Sequence, residues 1–162
     1  MPELSVVADT SPLLYLHLTG HLSILHELYG TVIVPVAVER ELEVGHRQGF
    51  DVPSITGIHW IDIQQASSTQ LRPAVVDLGP GETEVIALGL ELPDSLLIID
   101  DNLARQISEM LGLKRTGTLG VLIRAKNSGL IQSLAPIIAS LKEKGMWLSE
   151  EVAAAAMRLA GE

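Results

Sequence analysis

The chain has 162 residues, 47% of them hydrophobic and 19% charged, which is enough for one domain with a real core and excludes a disordered chain. Twenty acids against eleven bases give a net charge of −9, an argument against a general nucleic-acid binder, because phosphate attraction normally needs a basic protein. Cysteine is absent, so disulfide frames, zinc–cysteine sites and thiol nucleophiles are excluded.

The start, Met1-Pro2-Glu3-Leu4, lacks the basic segment and apolar stretch of a signal peptide. The apolar runs, such as Val32–Val38, fall short of the roughly 18 residues of a membrane span. A soluble cytoplasmic protein without membrane contact is the expectation. Two Trp, two Tyr and one Phe are too few for a platform that stacks several bases. The mean hydropathy of +0.33 hints at apolar surface between subunits.

Leu4–Ala8 reads as a buried strand. Ser11-Pro12 opens a helix to about Thr19, with Pro at the first helical position. Leu22–Tyr29 is a second helix, closed by Gly30. Thr31–Val34 is a β-branched strand, and Pro35 opens a helix through about Glu43. A loop over Gly45–Gly57 leads to a strand at Ile58–Ile63. The Gly79-Pro80-Gly81 turn precedes a helix at Glu82–Leu92. Ser95–Ile99 is the strongest strand, followed by a helix from Asn102 to Leu111. Lys114–Thr116 is a short strand, and helices follow at 118–127, 134–144 and 149–160. Apolar strands alternating with helices indicate an α/β fold with a mainly parallel sheet in a single domain, 1–162. The helices from about 132 to 160 would pack on its core or on a dimer partner.

In such sheets, sites form beyond the carboxyl ends of strands. Asp9 follows the first strand, and Asp100-Asp101 follow the strongest one. An aspartate there also suits a helix N-cap, Asp101 in particular. For Asp9, Thr10 or Ser11 could take the cap instead. Residues two apart on a helix point about 200° apart. Glu41 therefore shares a face with Ala37 and Val38, while Glu39 and Glu43 share the solvated stripe. Glu82 lines up with Val85, Ile86 and Gly89, and Glu84 with Glu91. Asp9, Glu41, Glu82 and Asp101 thus become candidates for one acidic cluster. Clustered carboxylates repel unless a cation offsets them, and oxygen-only ligands suit Mg²⁺ or Mn²⁺. Such an ion can activate water and stabilise a phosphodiester under attack.

The charge is uneven: residues 1–101 carry a net −12 and residues 102–162 a net +3. Arg105, Lys114, Arg115, Arg124 and Lys126 suit solvated helix faces or, more sharply, a basic RNA-binding rim beside the acidic centre. His17, His21, His26, His46 and His59 form no metal-binding motif, and neither a P-loop nor a nucleophile elbow is present. Gly117-Thr118-Leu119-Gly120 could present backbone amides at a helix start.

The ordered set Asp9-Thr10-Ser11, Val34-Pro35…Glu41-Leu42, Gly81-Glu82-Thr83-Glu84, Ile98-Ile99-Asp100-Asp101 and Gly117–Leu122 resembles the PIN-domain family, the nuclease domain of VapC-type toxins, and within it an uncharacterised bacterial and archaeal branch. The resemblance spans about residues 4–155. It implies a three-layer fold with a parallel sheet of about five strands flanked by helices. It implies Mg²⁺- or Mn²⁺-dependent cleavage of RNA by Asp9, Glu41, Glu82 and Asp101. Asp100 is the weaker choice for the last position, because adjacent strand residues face opposite ways, and Glu84 is a weaker choice as a metal ligand. Thr10, Ser11 and Thr118 would assist. The toxin of a type II toxin–antitoxin pair, a cognate antitoxin covering the groove, and a homodimer follow from the same resemblance. Glu82 stands where well-known toxins usually carry Asp, which lengthens the ligand arm by one methylene. The alternative is a PIN-like module that binds RNA or protein without cutting. A haloacid-dehalogenase phosphatase needs an aspartate where Ser11 stands, and a receiver domain needs its acidic pair near the first strand.

Overall fold

The computed structural model describes residues 4–67 and 77–162. The start Met1–Glu3, read above for targeting, lies outside the described residues. Five strands form one sheet: β1 (Ser5–Ala8), β2 (Val32–Pro35), β3 (Ile61–Gln64), β4 (Ser95–Ile98) and β5 (Lys114–Thr116). Every pairing is parallel, in the order β3-β2-β1-β4-β5. The described helices are α1 (Thr10–Leu18), α2 (Ile24–Tyr29), α3 (Val36–Arg47), α4 (Pro80–Glu91), α5 (Asn102–Met110), α6 (Thr118–Asn127), α7 (Ala135–Glu143) and α8 (Glu150–Leu159).

The architecture is the expected three-layer α/β fold. Helices cover both sheet faces, so the central strands are apolar throughout rather than alternating. Val6, Val7, Ala8, Val32, Val34, Leu97 and Ile98 are at most 1% exposed. Helix α4 packs on β1, β2 and β4, with α3 and α5 as neighbours, while α6 gathers α1, α2 and α8. Leu134, Ile137, Ile138 and Leu141 near and within α7, with Ala156 and Ala160 at α8, belong to the same core cluster.

Most boundaries fall within two residues of expectation, and two differ by more. Helix α3 continues past Gly45 to Arg47; a helical glycine costs only about 1 kcal/mol, and a Cβ at Gly45 would stand 3.2 Å from Val52 Cγ1. Strand β3 begins at Ile61 rather than Ile58, because Ile55–Gly57 forms a 3₁₀ turn and the Ile58 and Ile61 amides close turns onto the carbonyls three residues before them.

The strand order decides where a site can form. From β1 the chain moves outward through β2 to β3, then crosses to the other side of β1 as β4. Such a reversal leaves a crevice beyond the carboxyl ends of the two strands that flank it. Here those strands are β1 and β4. They run in register from Ser5 opposite Ser95 to Ala8 opposite Ile98, which brings Asp9 and Asp100 to the crevice.

Candidate functional site

Asp9 is the innermost carboxylate. It ends β1 in the middle of the sheet and is 3% exposed. It occupies the N-cap position of α1, yet its side chain makes no cap hydrogen bond. Its Oδ1 is buried without a hydrogen-bond partner among the described residues. Burial raises its pKa from 3.8 to about 7; the Thr10 amide pulls the other way, and the charges of Glu82, Glu41 and Asp100 add to the rise. A buried carboxyl ringed by three others is costly to ionise unless a cation joins it.

Glu41 reaches the cluster from α3 and is fixed at both oxygens. The Gly81 amide donates to Oε1 at 2.8 Å and the Thr10 hydroxyl to Oε2 at 2.5 Å. Gly81 is required by that approach: a Cβ there would lie 2.7 and 2.8 Å from the two Glu41 oxygens. Glu82, in the first turn of α4, is half-buried. Glu84 points elsewhere. It accepts from the Ala37 amide at 2.7 Å and the Ala66 amide at 3.2 Å, tying the start of α3 to the end of β3. The helical periodicity that separated Glu82 from Glu84 thus matches their placement.

The last position corrects the sequence reading. Asp101 is exposed and is the N-cap of α5, its Oδ2 accepting from the Ala104 amide at 2.9 Å. Asp100 is the residue at the cluster. Its Oδ1 accepts from the Thr118 amide at 2.8 Å, and its Oδ2 from the Thr118 hydroxyl at 2.6 Å and the Ser11 hydroxyl at 3.2 Å. Face alternation failed because β4 has ended: the last sheet bond here is from the Ile99 amide to Thr116. Beyond it, helix starts set the directions. The N-terminus of α5 takes Asp101, and the α6 N-terminus attracts Asp100. The aspartate directly before α5 was the available signal.

Thr10, Ser11 and Thr118 therefore act as donors to Glu41 and Asp100. The five bases do not form a rim. Lys114 pairs with Asp94 at 2.7 Å and Arg115 with Glu109 at 3.0 Å. Arg124 lies over the Tyr29 ring, and Lys126 donates to the Ala160 carbonyl. Arg105 alone of the five stands at the cluster: its Nη1 and Asp100 Oδ1 lie 2.9 and 2.7 Å from the point a Gly117 Cβ would occupy.

No three His, Asp or Glu side chains among the described residues are drawn together as a ready coordination set. The donor chemistry still suits a hard divalent cation. All four groups are carboxylates, Asp9 Oδ1 lacks a partner, and a carboxylate has about four lone-pair positions, more than Glu41 or Asp100 uses.

A family model described as PIN domain matches residues 5–162 of the chain. No curated protein and no solved structure matches it.

Proposed function

The chain belongs to the PIN-domain family, and from that premise we propose that it is a Mg²⁺- or Mn²⁺-dependent endoribonuclease. One observation carries the reading. Asp9 is a buried carboxyl with an unpartnered oxygen and three carboxylates around it, placed where the strand order reverses. Asp9, Glu41, Glu82 and Asp100 would hold the cation. When bound, it would supply polarisation of the phosphodiester and a water of lowered pKa. The remaining roles belong to the chain itself. Thr10 and Gly81 orient Glu41, and Ser11 and Thr118 orient Asp100. Arg105, beside Asp100, would hold a phosphate oxygen by charge-assisted hydrogen bonds.

The test is cleavage of single-stranded RNA by the purified chain with Mn²⁺, with and without EDTA, beside Asp9→Asn. Cleavage that needs the ion and is lost in the variant is expected. Equal cleavage by the variant overturns the assignment.

The same proposal takes in the toxin role, with a cognate antitoxin segment over the acidic groove and a homodimer. It rests on the VapC-like motif order. Growth arrest on expression, relieved by the product of an adjacent reading frame, is its expected sign. A non-catalytic binding module is the second reading, favoured by the hydrogen bonds that already satisfy Glu41 and Asp100. Absence of both a Mn²⁺-induced thermal shift and cleavage would favour it, and Mn²⁺-dependent cleavage would rule it out.

A further inference from the structure

A groove of about 440 Å³ opens beside the carboxylates. Thr10 and Glu41 line it and join it to the acidic cluster. Leu14 and Leu18 of α1 and Leu42 of α3 give it an aliphatic base. The chain's single phenylalanine, Phe50, lines it while 64% exposed. An exposed aromatic ring beside a polar centre invites a flat partner. Asp51 and Lys144 complete the outer wall. His17 Nε2 holds Asp51 Oδ1 at 2.8 Å, which fixes the carboxylate in place. Lys144 is exposed and has no ion-pair partner among the described residues.

These features select an occupant. Its body must be flat and apolar to lie between Phe50 and the leucines. Its edge must donate a hydrogen bond, because Asp51 offers a carboxylate acceptor. A phosphate would be repelled by Asp51 inside the groove, and Lys144 offers it a place outside. A neutral nucleobase with an exocyclic amine, attached to a phosphodiester, meets all three conditions.

We propose that the groove is a nucleobase subsite: the base next to the scissile phosphodiester stacks on Phe50, its amine donates to Asp51, and Lys144 holds the following phosphate. The proposal rests on the ribonuclease reading, since that reading puts the phosphodiester at the Glu41 end. Too few aromatics exist for a multi-base platform, but one exposed ring serves one base.

The experiment compares the wild type with Phe50→Ala, Phe50→Trp and Asp51→Asn. Cut ends in a random single-stranded RNA pool with Mn²⁺ are sequenced. Adenosine, cytidine and uridine 5′-monophosphates are titrated by NMR in EDTA. The expected wild-type preference is for adenine, cytosine or guanine over uracil at one position flanking the cut. Phe50→Ala lowers kcat/KM about tenfold, mostly through KM, as loss of one base–aromatic stack predicts. Phe50→Trp restores it, and Asp51→Asn removes the discrimination against uracil. A cut-site preference unchanged in both Phe50→Ala and Asp51→Asn overturns the subsite and leaves the nuclease intact. A Phe50→Ala chain that changes solution mass but not base preference assigns the groove to a protein contact and also overturns it. A wild type that cuts nothing defeats the ribonuclease reading instead. The titration then decides the subsite: shifts at Phe50 and Leu42 with the amino-bearing nucleotides support it, and their absence overturns it.

Discussion

Asp9 sets the behaviour of the site at the scale of single residues. Its folded pKa, about 7, lies above the ordinary 3.8, so the native state binds a proton more tightly than the unfolded chain. Its contribution to stability is full below about pH 4 and is lost as pH rises through 7, on the order of 4 kcal/mol for a shift of this size. In EDTA, Asp9→Asn should therefore raise the melting temperature at pH 8, and the gain should vanish near pH 4. A gain that is independent of pH would count against the buried, protonating carboxyl. Gly81 supplies a second prediction. A methyl group there meets the Glu41 oxygens rather than backbone, and alanine favours the helix by up to about 1 kcal/mol. Gly81→Ala should thus change the urea midpoint little while weakening the Mn²⁺-induced thermal shift, because Glu41 must move aside. Equal loss of both would show that Gly81 serves folding instead.

Neighbouring residues divide their work at the scale of elements. Asp101 caps α5 and Asp100 turns toward α6. Replacing an N-cap aspartate with alanine costs about 1 kcal/mol. Asp101→Ala should lose that much in urea unfolding and keep cleavage, whereas Asp100→Asn should lose cleavage. The opposite pattern would return Asp101 to the site. At the far end, Glu162 accepts from the Leu134 and Ala135 amides and the Ser133 hydroxyl at the start of α7. The Leu134 amide, first of all, holds its carboxyl below the usual 4.5. That contribution is present above pH 4.5 and is lost as pH falls through the lowered value. Glu162→Gln should reduce stability at pH 7, and the difference should close in acid; urea titrations at both pH values read it.

For the whole molecule, the net charge is −9, and ion pairs and other contacts hold Lys114, Arg115, Arg124 and Lys126, so of the five bases read as a rim only Arg105 stands beside the carboxylates. With Arg105 and Lys144 as phosphate contacts, single-stranded RNA affinity without divalent ions should fall with salt at a slope of about −1.4 in log–log form. A slope steeper than about −3 would mean a basic surface larger than these two residues. The charge thus argues against broad binding to nucleic acid and is compatible with a focused site.

The elements were legible because burial on both faces writes strands as apolar runs, as in Val6–Ala8 and Leu97–Ile99, and because Pro12 and Pro80 each lie within two residues of a helix start read from the sequence. The sequence by itself determined the α/β class, the candidate carboxylates Asp9, Glu41 and Glu82, and the separation of Glu82 from Glu84, since each follows from the end of an apolar run or from local periodicity. Only the tertiary structure decided the strand order that brings Asp9 and Asp100 together, the loss of the basic rim to distant acids and carbonyls, and the groove beside Phe50. It also decided which of two adjacent aspartates faces the cluster. Pairing across the chain and the demands of two helix starts set these features, and neither is encoded in the spacing of nearby residues.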